Sequence, residues 1–233
     1  MNQQEFLKRF HSNAGVEPAA FDRDELSRWA AGLQAGLPPR RDALAAQFQQ
    51  ALEAVGGKFY AAGDAEDSAK LVCDLVQQRG VRSVISWDHP VLETAQAALR
   101  LAGVAVSLSQ RAAGQEREAI RAATIASDIG LTSCNYALAD TGTLLLVGNE
   151  RQGRLTSLVP ITHIAIITAE QLVPTFADAV KLLRLTRLGT EDGRLPSNIS
   201  LHTGPSKTAD IEQTLTKGVH GPKEVHVILN SGR

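Results

Sequence analysis

Residues 81–109, VRSVISWDHPVLETAQAALRLAGVAVSLS, decide the fold. "VRSVIS" and "VAVSLS" are short runs that read as strands. The segment between them, "DHPVLETAQAALRLAG", reads as a helix with Pro90 in its first turn. A strand, a helix and a strand in succession make a crossover unit, and such units build parallel sheets. The rhythm extends in both directions. Upstream, "KFYAA" reads as a strand. "DAEDSAKLVCDLVQQRG" reads as a helix that opens with acids and closes with Arg-Gly, as the helix dipole and C-cap preferences require. Downstream comes the helical "QEREAIRAATIAS". The runs "TLLLV" and "IAIIT" then look like central strands buried on both faces. "NISLHTG" and "EVHVILN" read as the last strands, and "AEQLVPTFADAVKLLRL" as a helix with Pro174 in its first turn. The expected architecture is α/β, three layers α/β/α around a mostly parallel mixed sheet, over residues 57–233.

The first 56 residues differ. Phe6, Leu7 and Phe10 suggest a short helix, Leu26, Trp29 and Leu33 an amphipathic one, and Leu44, Phe48, Leu52 and Val55 a third. This N-terminal helical arm suits either covering the core or pairing copies of the chain, so a homo-oligomer through the arm is an expectation.

Composition narrows the function classes. The 233 residues carry 43% hydrophobic and 21% charged residues, enough for an ordinary globular core, and only 4% aromatics, so the core is aliphatic. A net charge of −1 gives no electrostatic footprint for nucleic acid. The two cysteines, Cys73 and Cys134, are too few for an iron–sulfur cluster, which takes about four thiolates. No run approaches the length of a membrane span, and "MNQQEFLKRFHSN" has no apolar signal core, so the expected location is the cytoplasm. Dinucleotide, P-loop and nucleophile-elbow motifs are absent. The histidines, His11, His89, His163, His202, His220 and His226, form no metal-binding spacing, and no metal is expected.

Three stretches carry unusual chemistry. In "ALADTGTLLLVGNERQGR", Asp140, Thr141, Gly142 and Thr143 gather a carboxylate, two hydroxyls and free backbone amides at a strand mouth, where glycine lets a ligand come close. The plainer alternative is a tight turn in which Asp140 bonds its own backbone. In "NERQGRLTSLVP", Arg151 and Arg154 flank a glycine turn and are fork-shaped donors for carboxylates or phosphates, with Glu150 beside them. Two solvated arginines on a hairpin tip are the alternative. In "HTGPSKTADIEQTL", a Gly-Pro turn precedes Ser206 or Thr208 as the N-cap of an expected helix ending at Gly218. Its amino end and Lys207 offer an anion seat, weakened by Asp210 and Glu212. His220, in a loop between glycine-rich turns, is a candidate acid or base.

Taken jointly, Ala-Asp-Thr-Gly-Thr at 139–143, "GRLTSLVPITHIAII" at 153–167, "GPSKTADIE" at 204–212 and "GVHGP" at 218–222 resemble the LUD domain of LutC-type lactate-utilisation proteins. Lys207 stands where arginine is expected. The resemblance implies a fold like that of the sugar-phosphate isomerase and CoA-transferase superfamily. It also implies a part in oxidising L-lactate to pyruvate with iron–sulfur partner proteins, the clusters lying in a partner and no cofactor in this chain. Asp140 and His220 are then the catalytic candidates. Thr141, Gly142, Thr143, Arg154, Ser206, Lys207, Thr208 and Asp210 are the binding candidates, with a small hydroxy-acid as ligand. A non-catalytic scaffold of the same assembly and an independent enzyme on a sugar phosphate or acyl-CoA, with Glu150 as nucleophile or base, are the alternatives.

Overall fold

The structure, a computed structural model, describes residues 23–110, 117–188, 196, 198–209, 215–218 and 220–232. Six strands form one sheet in which every neighbouring pair is parallel: β1 (Lys58–Ala62), β2 (Ser83–Ser86), β3 (Ala105–Leu108), β4 (Ile129–Thr132), β7 (Thr162–Thr168) and β12 (Glu224–Asn230), in the order β1-β12-β7-β4-β2-β3. The helices α3 (Ala65–Gln78), α4 (Glu93–Leu101) and α5 (Arg117–Ala126) follow β1, β2 and β3. Asp64 starts α3 by accepting the Asp67 amide at 2.8 Å. His89 accepts the Val91 amide at 3.3 Å and starts the 3₁₀ turn that carries Pro90 into α4.

The register assigns the two faces, because partners across a parallel pair point the same way. Tyr60, His226, Ile228, Ile164, Leu131 and Ser86 share one face. Gln96 of α4 donates to Ser86 Oγ at 2.8 Å, so α3 and α4 cover that face. Phe59, Val227, His163, Gly130 and Ile85 share the other. Phe48 of α2 (Arg41–Ala54) lies against Phe59, with ring centroids 6.3 Å apart. Leu44, Phe48 and Leu52 are buried, so this helix of the arm is part of the core.

The antiparallel pairings collect in a second sheet, β8-β5-β6-β9, made of β8 (Leu172–Val173), β5 (Tyr136–Leu138), β6 (Thr143–Val147) and β9 (Ile199–His202). Leu144 and Leu146 join the main core. Leu145 and Val147 face a second cluster with Ala30 of α1 (Arg23–Gly36) and Ala179, Leu182 and Leu183 of α6 (Phe176–Leu188). That is why "TLLLV" is apolar throughout: β6 has cores on both sides.

Two expectations are corrected. Residues 207–209 and 215–217 are strands, not parts of a helix. Lys207–Ala209 (β10) pairs antiparallel with Leu215–Lys217 (β11), so neither Ser206 nor Thr208 is an N-cap and the helix-end anion seat does not exist. The stretch has only Ile211 and Leu215 as large apolar residues, too few to fix a helical face, and backbone bonds of Ser206 to Pro222 (2.9 Å) and of Gly218 to Ser206 (3.1 Å) tie the hairpin base. Nor does Pro174 lie inside a helix. The buried Leu172 and Val173 pair with Ala137 and Leu138, and α6 starts only after Thr175, whose Oγ1 accepts the Asp178 amide at 3.2 Å.

Candidate functional site

Asp140 and Thr141 are exposed, with the Thr141 hydroxyl donating to the Asp140 carboxylate at 3.2 Å. Gly142 has φ +63°, and a Cβ there would sit 2.3 Å from the Leu52 nitrogen and 2.6 Å from its Cα. The close approach that Gly142 permits is therefore made by the backbone of α2, not by a ligand. Thr143 is buried and its hydroxyl lies 2.7 Å from that of Thr203. Gly204 also has positive φ, and its missing side chain makes room for Val55. Lys207 is exposed, its Nζ 3.7 Å from where a Cβ on Gly56 would stand, just past the end of α2. A cation there complements the helix dipole.

Segments 140–143 and 203–207 thus meet around the carboxyl end of α2. Ser206 is half-buried at the hairpin base, Thr208 lies in β10, and His220 is exposed in the following loop. Asp210 and Glu212 lie outside the described residues. Of the described candidates, Asp140, Thr141, Gly142, Thr143, Ser206, Lys207 and His220 line no part of a cleft that Arg154 and Glu150 do line.

That cleft has a volume of about 950 Å³ and opens between α5 and the loop that follows β6. It lies at the carboxyl ends of β2 and β3, the end of a parallel sheet where ligands usually bind. The loop is clamped there. Arg151 pairs with Asp88 just after β2, Nε to Oδ2 at 2.7 Å. Trp87 Nε1 donates to the Gly153 carbonyl at 3.0 Å, and a Cβ on Gly153 would lie 3.4 Å from Ser109. The chain then passes over β4 so closely that a Cβ on Gly130 would be 1.8 Å from the Thr156 oxygen. Of the two arginines in the motif, Arg151 is thereby spent on structure, and Arg154 has no ion-pair partner among the described residues.

Two of the lining residues, Ser109 and Thr156, have hydroxyls that are buried without a hydrogen-bond partner among the described residues. Leaving a buried polar group unpaired costs about 1–3 kcal/mol, so such groups mark either stored strain or a missing ligand. Sequence reasoning overlooked both, because a lone Ser after a strand and a lone Thr in a loop carry no spacing signal.

Behind the cleft lies a buried histidine pair. Ser157, next to Thr156, is 3.5 Å from His202 Nε2, the His202 and His163 rings are 5.5 Å apart, and His163 Nε2 is 2.8 Å from Thr132 Oγ1. Burial pulls His202 down to about 4 and His163 well below the usual range, helped by the neighbouring histidines, so both are neutral near pH 7. On the other sheet face, His226 Nε2 lies 2.9 Å from Glu224 Oε2 and 3.0 Å from Arg79 Nη2, the Tyr60 hydroxyl lies 3.0 Å from His226 Nδ1, and Arg79 pairs with Glu224. Hydrogen bonds from Arg79 and His226 hold Glu224 down to about 2. The signal for these groups was present: a histidine inside "THIAIIT" or "EVHVILN" sits in a buried strand and needs a partner.

Among the described residues, no cluster of His, Cys, Asp and Glu is placed to hold a metal ion, and no helix is long and apolar enough to cross a membrane. Cys134 is buried, its thiol pushed well above the usual range by burial alone, and Cys73 is half-buried.

Comparison with known proteins places this geometry. The chain is 36% identical over 149 residues to Lactate utilization protein C of Halalkalibacterium halodurans, covering 64% of this chain and 63% of that protein. It is 35% identical over 158 residues to Lactate utilization protein C of Shouchella clausii, covering 67% and 66%. It also matches Lactate utilization protein B of Bacillus subtilis at 37% over 118 residues, half of this chain but 23% of that protein. The chain therefore spans just under two thirds of the length of the two C proteins. A crystal structure of a DUF162 family protein from Deinococcus radiodurans shares the fold, with a TM-score of 0.55 at 24% identity over 81% of this chain and 97% of that one. The model of the family described as LUD domain matches residues 45–230, beginning inside α2 and ending with β12, and the chain belongs to that family.

Proposed function

We propose that the chain is a LutC-type subunit of a lactate utilisation system that oxidises L-lactate to pyruvate together with iron–sulfur partner proteins. The observation that carries this reading is the likeness to Lactate utilization protein C in two organisms. The match to Lactate utilization protein B over half of this chain supports a partner built partly from the same module. Oxidising lactate to pyruvate releases two electrons and two protons. With one inert buried thiol and one half-buried thiol, this chain's cysteines do not fit a cluster, which needs about four thiolates. The clusters belong in a partner, and this chain contributes binding. In this reading Arg154 holds a carboxylate in the cleft. Asp140 and His220, both exposed and not lining that cleft, act at a contact with the partner rather than on cleft-bound acid.

Deleting the gene for this chain in its own host should abolish growth on L-lactate and spare growth on pyruvate. Equal growth on both would overturn the proposal.

A scaffold role within the same assembly is favoured by one observation: β9 is an edge strand of the second sheet, and its Ile199 and Leu201 are exposed. Substituting both with threonine separates the two. Loss of the partner from a pull-down supports the scaffold. Retained assembly with lost lactate oxidation after R154Q supports a binding site.

A further inference from the structure

We infer that the cleft between α5 and the loop after β6 is a binding site for an organic oxyanion, held by the hydroxyls of Ser109 and Thr156 and the guanidinium of Arg154. Three independent features converge there. First, two residues from different parts of the chain, Ser109 at the end of β3 and Thr156 in the loop over β4, line the same cleft, and the hydroxyl of each is buried with no partner among the described residues. Both residues are buried, Ser109 at 7% and Thr156 at 1% exposure. Second, the competing cations are engaged. Arg151 is bonded to Asp88 at 2.5 and 2.7 Å, and Arg121 lies 3.9 Å from Glu118. Arg154 is the arginine of the lining with no ion pair among the described residues. Third, the site is built. The 149–153 turn is locked internally by Asn149 Nδ2 to Gln152 Oε1 at 2.7 Å and externally by Trp87.

Two hydroxyl donors and a planar fork suit the oxygens of a carboxylate or a phosphate group. The exposed Glu150 and the Arg121-paired Glu118 on the same lining disfavour a bare anion of high charge, and they accept hydrogen bonds from hydroxyls on an organic ligand. At about 950 Å³ the cleft is at the upper end of the usual range for small-molecule sites, about 300–1,000 Å³. A three-carbon acid would fill only part of it.

The test is calorimetric titration of the full chain with L-lactate, pyruvate and inorganic phosphate as separate probes, the choice of L-lactate resting on the function proposed above. At least one probe binds, and Ser109→Ala and Thr156→Val each weaken it about tenfold. Heat from the carboxylates alone assigns the site to an organic acid, and heat from phosphate alone assigns it to a phosphorylated ligand. No heat from any of the three, or undiminished affinity in both variants, overturns the inference. A second readout needs no ligand. Because Thr156→Val removes an unpaired buried hydroxyl and keeps the shape, it should raise Tm of the free chain by about 2–4 °C. A lowered Tm would show the hydroxyl to be structural and overturn its role here. Binding without a growth defect on deletion sinks the lactate reading alone, and a growth defect without binding sinks the cleft assignment alone.

Discussion

Asp140 and Gly142 stand two positions apart in one motif and do different work. Gly142 is at φ +63° with the backbone of Leu52 where a side chain would begin. Gly142→Ala combines left-handed strain with overpacking against a helix that cannot yield, and should cost about 2–5 kcal/mol in urea unfolding. Asp140→Ala, at an exposed position bonded to its neighbour's hydroxyl, should change stability by no more than about 0.5 kcal/mol. A cost for D140A near that of G142A would mean that the carboxylate holds the turn. That residues 139–143 need a special backbone was legible in the letters, since a Thr-flanked glycine before an apolar run marks a turn. What presses against that glycine was not, because Leu52 is ninety positions away and only packing brings it there.

Among the elements, the loop from Gly148 to Pro160 links fold and site. It is pinned to β2 through Asp88, to β3 beside Ser109, and to β4 at Gly130. Gly130→Ala pushes a Cβ into the Thr156 carbonyl, so the loop must lift. The expected result is a destabilised protein whose anion affinity falls further than in Thr156→Val, read by thermal unfolding and titration of the same sample. Phe48→Ala probes α2 instead. It empties a fully buried site against Phe59 and should cost about 3–5 kcal/mol while leaving cleft affinity intact in the folded fraction. The strands and helices of the parallel sheet were readable because each carries its own period. The segment 207–217 was not: a few threonines and two apolar residues fit a hairpin or a helix, and the pairing of Lys207 with Lys217 is a tertiary choice.

For the whole molecule, acid is the expected weakness. His202 sits at about 4 in the fold and near its ordinary 6.5 once unfolded. Between those values the unfolded chain binds a proton that the folded one refuses, so stability falls as pH drops from about 6.5 toward 4, by roughly 3 kcal/mol for this group. His163, lowered in the same direction, adds to the loss. Glu224 acts lower still: held down to about 2, it contributes stability above its ordinary 4.5 that disappears as pH falls toward 2. Urea midpoints at pH 7 and pH 5 should differ clearly, and His202→Gln should shrink the difference; an unchanged difference would remove His202 as its source. By itself the sequence determined the α/β class, the parallel crossover units, the aliphatic core and the turn at Gly142, because each is announced by local periodicity, by turn residues or by composition. Only the tertiary structure decided that α2 seats on Gly142, that the antiparallel strands leave the main sheet, and that Ser109, Thr156 and Arg154 share one cleft. Those facts rest on groups far apart in the chain, held together by burial and by the missing side chains of Gly130, Gly142 and Gly153, and no local pattern encodes which distant surface fills such a gap.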